Sequence, residues 1–370
     1  MHNTAYVMTD EIDDTTRLQI CTFLDHGAFT GTHIVIMPDC HAGVGAVIGF
    51  TATLNDYVIP NVVGVDIGCG VLAIDLGDID IDFDKLNGFI RAEIPYGFAH
   101  RSRAVFSLPD LDKAIQGNIA EICERTRQNQ GDVERSVGSL GGGNHFIEVN
   151  VDPNGHKWLV IHTGSRNFGL QIALYHQRKA KAHLEALNIK MDIYKNLEYM
   201  PRKSGGNEYL YDMQVAQAYA SLNRRTIATA ILTALGWTAV SSIESVHNYI
   251  DLKDKIVRKG AISAHDGERL VIPLNMRDGT IVGTGKGDPA WNFSAPHGAG
   301  RTMSRTRAKK ELNVDDFKAE MEGIYTTCVS EATLDESPMA YKSADMILDA
   351  IGAAVDIDFV MEPIFNFKAD

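Results

Sequence analysis

The feature that most restricts this chain is a recurring one: short apolar runs of strand length that lead into polar, glycine-bearing segments. Ile34 to Pro38 runs into Asp39-Cys40-His41-Ala42-Gly43, and Asn61 to Val65 into Asp66-Ile67-Gly68-Cys69-Gly70. Trp158 to Ile161 is followed by His162-Thr163-Gly164-Ser165-Arg166, and a triple glycine, Gly141 to Gly143, precedes Asn144 to Val149. Polar residues at strand ends suit site loops carried by a rigid scaffold. Gly45 to Thr53 and Leu270 to Pro273 also read as strands. Helical spacing covers Leu111 to Arg125, Leu170 to Leu187, Leu210 to Leu235 with Gly236 as its stop, Val314 to Ile324, and Ser343 to Val355 with Ser343 as a cap. Strand runs interleaved with helices, without linker, repeat or low-complexity tract, predict an α+β fold. We expect one large compact domain over 1–370, with mixed or antiparallel sheets around a central pocket, peripheral helices, and a small helical lobe near 170–235.

Composition narrows the class. The 370 residues are 45% hydrophobic and 22% charged, ordinary for a soluble globular chain. No run of about 18 apolar residues occurs, so no membrane span or membrane partner is expected. The N-terminus lacks a basic start followed by an apolar block, and the five cysteines include no CxxC pair. Both point to a reducing, cytoplasmic setting. A net charge of −13 argues against general nucleic-acid binding. Arg301 to Lys310 is the exception, with five basic residues and no acid. Alone it reads as a solvated helix face; beside His297 it reads as a phosphate-binding surface.

The candidate chemistry lies in the glycine-bearing patches. Asp66 and Cys69 are three apart in a turn, so a carboxylate and a thiolate can meet at one ion, and a thiolate can bridge two. The alternative is a glycine-rich turn with a small buried cysteine. His145 and His162 flank a hairpin-like fragment whose turn is Asp152-Pro153-Asn154-Gly155, so their imidazoles can share a metal. On a regular strand Asn144, Phe146 and Glu148 would face one way and His145 the other, unless the glycines distort the strand's start. His247 is a third histidine ligand. His41 reads equally as a site residue or a packed loop histidine. Asn223-Arg224-Arg225 interrupts a helix and faces either solvent or a phosphate. His297, in Ser294-Ala295-Pro296-His297-Gly298-Ala299-Gly300-Arg301, is the candidate nucleophile: a neutral imidazole among small residues.

Taken together these segments resemble one family, the RtcB-type RNA ligases. They join RNA 3'-phosphate or 2',3'-cyclic phosphate ends to 5'-hydroxyl ends with GTP and manganese. The matching stretches are Met37 to Gly43, Val65 to Gly70, Gly141 to Glu148, His162 to Arg166, His247-Asn248-Tyr249, Arg258 to Ala261, His297 to Arg301 and Ala340-Tyr341-Lys342, in family order across nearly the whole chain. The resemblance implies that Asp66, Cys69, His145, His162 and His247 hold two Mn²⁺ ions with Cys69 between them. It implies that His297 is the residue that becomes guanylylated. Nucleotide contacts would come from Asn144, Glu148, Asn275, His297, Gly298, Ala299, Gly300, Tyr341 and Lys368. RNA or phosphate contacts would come from Asp39, His41, Arg166 and Arg301. Cytoplasmic RNA repair or tRNA splicing is the implied setting, with an archease-like activator as a partner.

Three departures stand out. Where the family has Pro-Gly-Ser-Met-Gly, this chain has Pro273-Leu274-Asn275-Met276-Arg277-Asp278-Gly279, so Asn275 replaces the serine that faces guanine. The C-terminus, Phe367-Lys368-Ala369-Asp370, extends past the usual lysine-glycine ending, and the chain is short in its middle. Ligand softness alone would favour zinc at such a site; manganese comes from the resemblance. Two rivals remain on sequence grounds. A two-metal phosphatase or nuclease acting on RNA ends would share the ligands, and a non-catalytic RNA-binding scaffold would need none.

Overall fold

The strand runs fold because their apolar residues alternate and find cover on both faces. Val71 and Ala73 pack with Val160, Val271 and Val282 on one side. Leu72 and Ile74 pack with Ile147, Leu159 and Ile161 on the other, under Leu86 and Ile90 of one helix and Ile227 and Ile231 of another. Leu159 and Ile161 are wholly buried. Truncating either to Ala would cost about 2–5 kcal/mol through the cavity left behind.

The computed structural model describes residues 3–190, 192 and 195–369. Its larger sheet has eight strands. Seven run in the order Arg269–Asn275, Gly279–Gly285, Val355–Lys368, Phe146–Val151, Lys157–Thr163, Gly70–Asp75, Ser241–Val246, each antiparallel to its neighbours in that order. Tyr325–Thr326 adds a short parallel partner to Val355–Lys368. A second, five-stranded sheet holds Ala5–Val7, Ile34–His41, Ile48–Thr53, Ile256–Lys259 and Asn248–Asp251, with one parallel pair at its edge. The fold is α+β, as expected. The helices Arg166–Ala186 and Gly206–Leu235, where a helical lobe was expected, contribute Ile172, Met213 and Ala216 to a core shared with Ile34, Phe50 and Val257 of the second sheet.

Several boundaries moved for local reasons. The helix expected over Leu111 to Arg125 is two, Leu108–Ile115 and Ile119–Thr126. Gln116 ends the first in a left-handed conformation (φ 53°), and the Asn118 side chain caps the second. The helix expected to run from Ser343 to Val355 has its Ser343 cap, but its α-helical part ends at Ala350. Val355 instead opens a 14-residue strand that reaches Lys368.

Candidate metal centre and nucleotide pocket

Four neighbouring strands end at the same edge of the large sheet, and this edge is the site. Gly70, which opens its strand, pairs with Thr163 on one side and Val246 on the other, while His162 pairs with Phe146. Cys69, His162, His247 and the turn before Phe146 are thereby adjacent. His247 lies where the chain leaves the large sheet after Val246 and joins the small one at Asn248. Gly141 and Gly143 take positive φ (92° and 71°), so the approach to Phe146 is a turn. His145 uses it to reach the centre, while Asn144, Phe146 and Glu148 line one common slot.

The five candidate ligands converge. The Cys69 Sγ lies 3.5 Å from His145 Nε2 and 3.2 Å from His162 Nε2, and His162 Nε2 lies 3.4 Å from His247 Nε2. Two donor groups result, Asp66/Cys69/His145 and Cys69/His162/His247, sharing the sulfur. The tautomers explain why these atoms need a cation. His145 Nδ1 faces the Leu140 carbonyl at 2.9 Å, and His162 Nδ1 faces the Asn144 carbonyl at 3.1 Å. A carbonyl only accepts, so each Nδ1 donates and each Nε2 turns a lone pair inward. His145 Nε2 then meets Asp66 Oδ2 at 3.0 Å, acceptor against acceptor unless the ring is charged. Among the described residues the buried His247 Nδ1 has no hydrogen-bond partner.

The electrostatics agree. Burial holds His162 and His247 well below the usual histidine range, in the neutral form a ligand requires. Burial and the Asp66 carboxylate push the Cys69 thiol well up, so a thiolate here needs a cation beside it. Burial alone would raise Asp66, but the His145 ring beside it brings the carboxyl to about 2, in the ionised form a ligand requires. The residues present therefore fit a pair of divalent ions.

Close backbone packing fixes the ligand loops. A Cβ on Gly164 would lie 2.1 Å from Asp66 Oδ1. Behind the loops, the wholly buried Arg224 donates to the carbonyls of Gly68 (2.9 Å) and Thr163 (2.7 Å). Asn223 accepts from the Gly138 and Ser139 amides and donates to the Gly164 carbonyl. This corrects the expectation for the Asn223-Arg224-Arg225 break: its first two members face neither solvent nor a phosphate but tie down the segments bearing Cys69 and His162. Arg225 is exposed and pairs with Glu244.

His297 follows the Ser294–Pro296 strand, with its ring 4.8 Å from that of His247. Its Nδ1 meets Asp39 Oδ2 at 2.6 Å, and the same oxygen accepts its backbone N–H at 3.2 Å. Asp39 is fully buried. Gly300 (φ 75°) permits this close approach, since a Cβ there would lie 2.1 Å from the Asp39 carbonyl. Asp39, expected on RNA or phosphate, thus holds the nucleophile candidate through Nδ1, so that the ring's lone pair would sit on Nε2. His41 lines the open cleft with its Nδ1 3.0 Å from the Asp39 carbonyl, and burial lowers its pKa to about 4.

Two spaces meet at His297: a narrow slot and an open cleft of about 810 Å³. The slot collects Asn144, Glu148, Asn275, Gly298, Tyr341 and Lys368. Burial lifts Glu148 to about 7, against the pull of Lys368 and a short hydrogen bond from Asn366. Asn275 turns its carbonyl to the amides of Arg277 and Asp278 and its amide to the Asp278 carboxylate. Ala299 faces the apolar core, so its side chain does not enter the slot, and Gly300 lines the cleft. Arg166 lies behind the glycine turn, donating to the Gly97 carbonyl at 2.7 Å and Ser139 Oγ at 3.2 Å.

Glu336 is the site residue that sequence reasoning missed. Almost fully buried, it accepts from Tyr341 Oη (2.8 Å), Lys368 Nζ (2.9 Å), Arg305 (2.7 Å) and Arg301 (3.3 Å). Burial alone would raise it, but Lys368, Arg305 and Arg301 hold it at about 2. Asp335 pairs with Arg305 and Lys309. The basic run expected to be a free phosphate surface is therefore largely neutralised at its site end. The sequence signal was available: Asp335-Glu336 lies five residues before Tyr341, and a buried basic cluster needs a counter-charge.

An α+β scaffold whose shared sulfur joins two ligand sets beside a carboxylate-held imidazole defines a candidate dinuclear metal protein. The family model described as tRNA-splicing ligase RtcB matches residues 25–369, and the chain belongs to the RtcB family. It is 30% identical to the RNA-splicing ligase RtcB of Escherichia coli (strain K12), over 92% of this chain and 91% of that protein. It is 27% identical to the tRNA-splicing ligase RtcB of Aeropyrum pernix, over 85% and 82%. To the RNA-splicing ligase RtcB of Mycobacterium tuberculosis it is 28% identical, over 85% and 91%. Among the described residues no helix is long and apolar enough to cross a membrane.

Proposed function

We propose that this chain is an RNA ligase that joins a 3'-phosphate or 2',3'-cyclic phosphate end to a 5'-hydroxyl end through a nucleotide carried on His297. The observation that carries the proposal is the pinning of His297 Nδ1 by the buried Asp39, beside the shared ligand cluster. With the Nδ1 proton held by a carboxylate, Nε2 keeps its lone pair, and Asp39 offsets the positive charge the ring gains as it attacks.

His297 Nε2 would attack the α-phosphate of GTP, forming a P–N bond as pyrophosphate leaves. The RNA 3'-phosphate would then take the GMP group, and the ring would regain its lone pair. Attack by the 5'-hydroxyl on this activated end would form the phosphodiester and release GMP and a proton. Asp66, Cys69, His145, His162 and His247 would hold two divalent ions, manganese by family resemblance. Such ions orient phosphoryl oxygens and offset their charge. In the slot, an ionised Glu148 would accept from guanine N1–H and the exocyclic amine, donors that adenine does not present together. Tyr341 and Lys368, held by Glu336, would shape the rest of the slot. A hydrolytic two-metal enzyme would need the ligand cluster but not a carboxylate-held imidazole beside it.

The test is incubation with GTP radiolabelled at the α-phosphate and Mn²⁺. An acid-labile, base-stable label on the wild-type protein, absent from His297→Ala, is expected. Absence of label from the metal-loaded wild type would overturn the proposal.

A further inference from the structure

The segment between the helices Phe83–Glu93 and Leu108–Ile115 has no assigned role, yet it carries the most exposed aromatic side chain among the described residues. Phe98 stands wholly in solvent, at 107% of its reference exposure. It is not there because the loop is loose. On one side of it Gly97 donates to the Gly141 carbonyl at 2.9 Å and accepts from Arg166 at 2.7 Å. Tyr96 bridges to Gly141 and packs edge-on against Phe367. On the other side the Arg101 amide donates to the Arg135 carbonyl at 3.0 Å. Single exposed apolar side chains are common on protein surfaces; what sets this ring apart is the tethered loop that holds it beside the cleft.

Position and charge say which contact. Gly97 touches the glycine turn that delivers His145: a Cβ on Gly142 would lie 3.7 Å from Gly97 Cα, and one on Gly143 would lie 3.8 Å from Arg305 Nη2. Arg305 and Arg307 line the open cleft beside His297. The lip carrying Phe98 is therefore continuous with the cleft across Gly142 and Gly143. In a chain of net charge −13, Ile94 to Ser107 contains no acid and carries His100, Arg101 and Arg103. Arg103 is exposed and has no ion pair among the described residues. His100 lies 3.7 Å from Asp132 and Arg101 is half-buried, so the exposed cation of this segment is Arg103, five residues from the ring. An exposed aromatic ring with an exposed guanidinium on the same loop, beside the cleft, suits unpaired nucleotides: a base stacks on the ring and a phosphate faces the cation.

We infer that Phe98 is a stacking platform for a base of the single-stranded RNA whose end lies in the cleft, with the exposed Arg103 facing its phosphates. This rests on the proposed RNA-joining function and deepens it by naming where the strand runs. The test uses the metal-loaded full chain and a fluorescent single-stranded RNA oligonucleotide ending in a 3'-phosphate, read by anisotropy. Phe98→Ala is expected to weaken binding about 5- to 100-fold, the range for losing one stacked base. It is also expected to raise KM for sealing far more than it lowers kcat. Phe98→Trp should restore binding, and its added indole emission should be quenched by the RNA. Because the ring is outside the core, thermal melting should not distinguish the variants. Equal affinity of wild type and Phe98→Ala would overturn the inference and redirect the exposed ring to a protein partner. Failure of the wild type to bind the oligonucleotide at all would overturn it too. Absent GTP labelling of the wild type would instead remove the ligase reading, while the affinity difference between Phe and Ala at 98 still decides the stacking platform.

Discussion

Two buried histidine–carboxylate clusters sit in this molecule, and they are built on opposite principles. In the helical region His176 and Asp212 are both wholly buried, with His176 Nε2 2.8 Å from Asp212 Oδ2. Arg125 forks onto the same carboxylate, and Lys179 meets the neighbouring Glu208 at 2.8 Å. Every acid there already has its cation. At the sheet edge, Asp66, Cys69 and three inward-turned imidazoles face one another, and among the described residues no lysine or arginine forms an ion pair with Asp66 or Cys69. Both clusters have the residue types and spacing of a metal site; only one lacks its positive charge. A complete ion-pair network is architecture, whereas an acceptor-only cluster is a place for an ion.

Substitutions can break that contrast. The largest effect is expected for Cys69→Ala, which removes the atom common to both ligand sets. Sealing should fall by about 10³-fold or more, as loss of metal stabilisation worth several kcal/mol implies, with the metal-free melting temperature held or raised. Asp212→Ala should do the reverse. Unpairing buried Arg125 and His176 should destabilise the fold by about 3–5 kcal/mol in denaturant titration, with metal content intact. Next comes Asp39→Asn, which keeps the shape but removes the charge behind His297. It should lower nucleotide transfer to the protein by about 10²- to 10⁴-fold without changing metal content.

Smaller effects sharpen the picture of the slot. Glu148→Gln should cut the preference for GTP over ATP by about 10- to 100-fold, the worth of hydrogen bonds to a charged acceptor. Because burial raises Glu148 to about 7, guanosine binding should strengthen about tenfold between pH 6 and 8 as the carboxylate forms. Glu148→Gln should flatten that profile. The sign for stability is opposite: the folded state holds this proton more tightly than the unfolded chain does. The contribution of Glu148 to stability therefore falls as pH rises from about 4.5 through 7.

Most of the candidate ligands were legible because Asp66, Cys69, His145 and His162 each sit where a recognisable strand meets a glycine; His247, between Val246 and Asn248, has no such neighbour. Trp158 to Ile161 announced His162, and the triple glycine announced the turn that swings His145 inward. What was hidden is what depends on distant partners. Nothing local to Asp39 says that its carboxylate reaches across 258 positions to His297. Nothing near Arg224 says that its guanidinium holds Gly68 and Thr163 in place. The strand Val355–Lys368 was missed although Val355-Asp356-Ile357-Asp358-Phe359 alternates with a period of two. A helical pattern from Ser343 ran into it, and Pro363 lies where its register shifts. Glu336 was missed because the basic run it neutralises lies some thirty residues earlier.

The most direct test of a shared cation site at Cys69 is titration of metal-free protein with Mn²⁺, read by bound ion per chain and by the magnetic coupling between ions. Two ions per chain, coupled through one sulfur and uncoupled or lost in Cys69→Ala, are the expected result. Binding of no ion, or binding that Cys69→Ala leaves untouched, would contradict it.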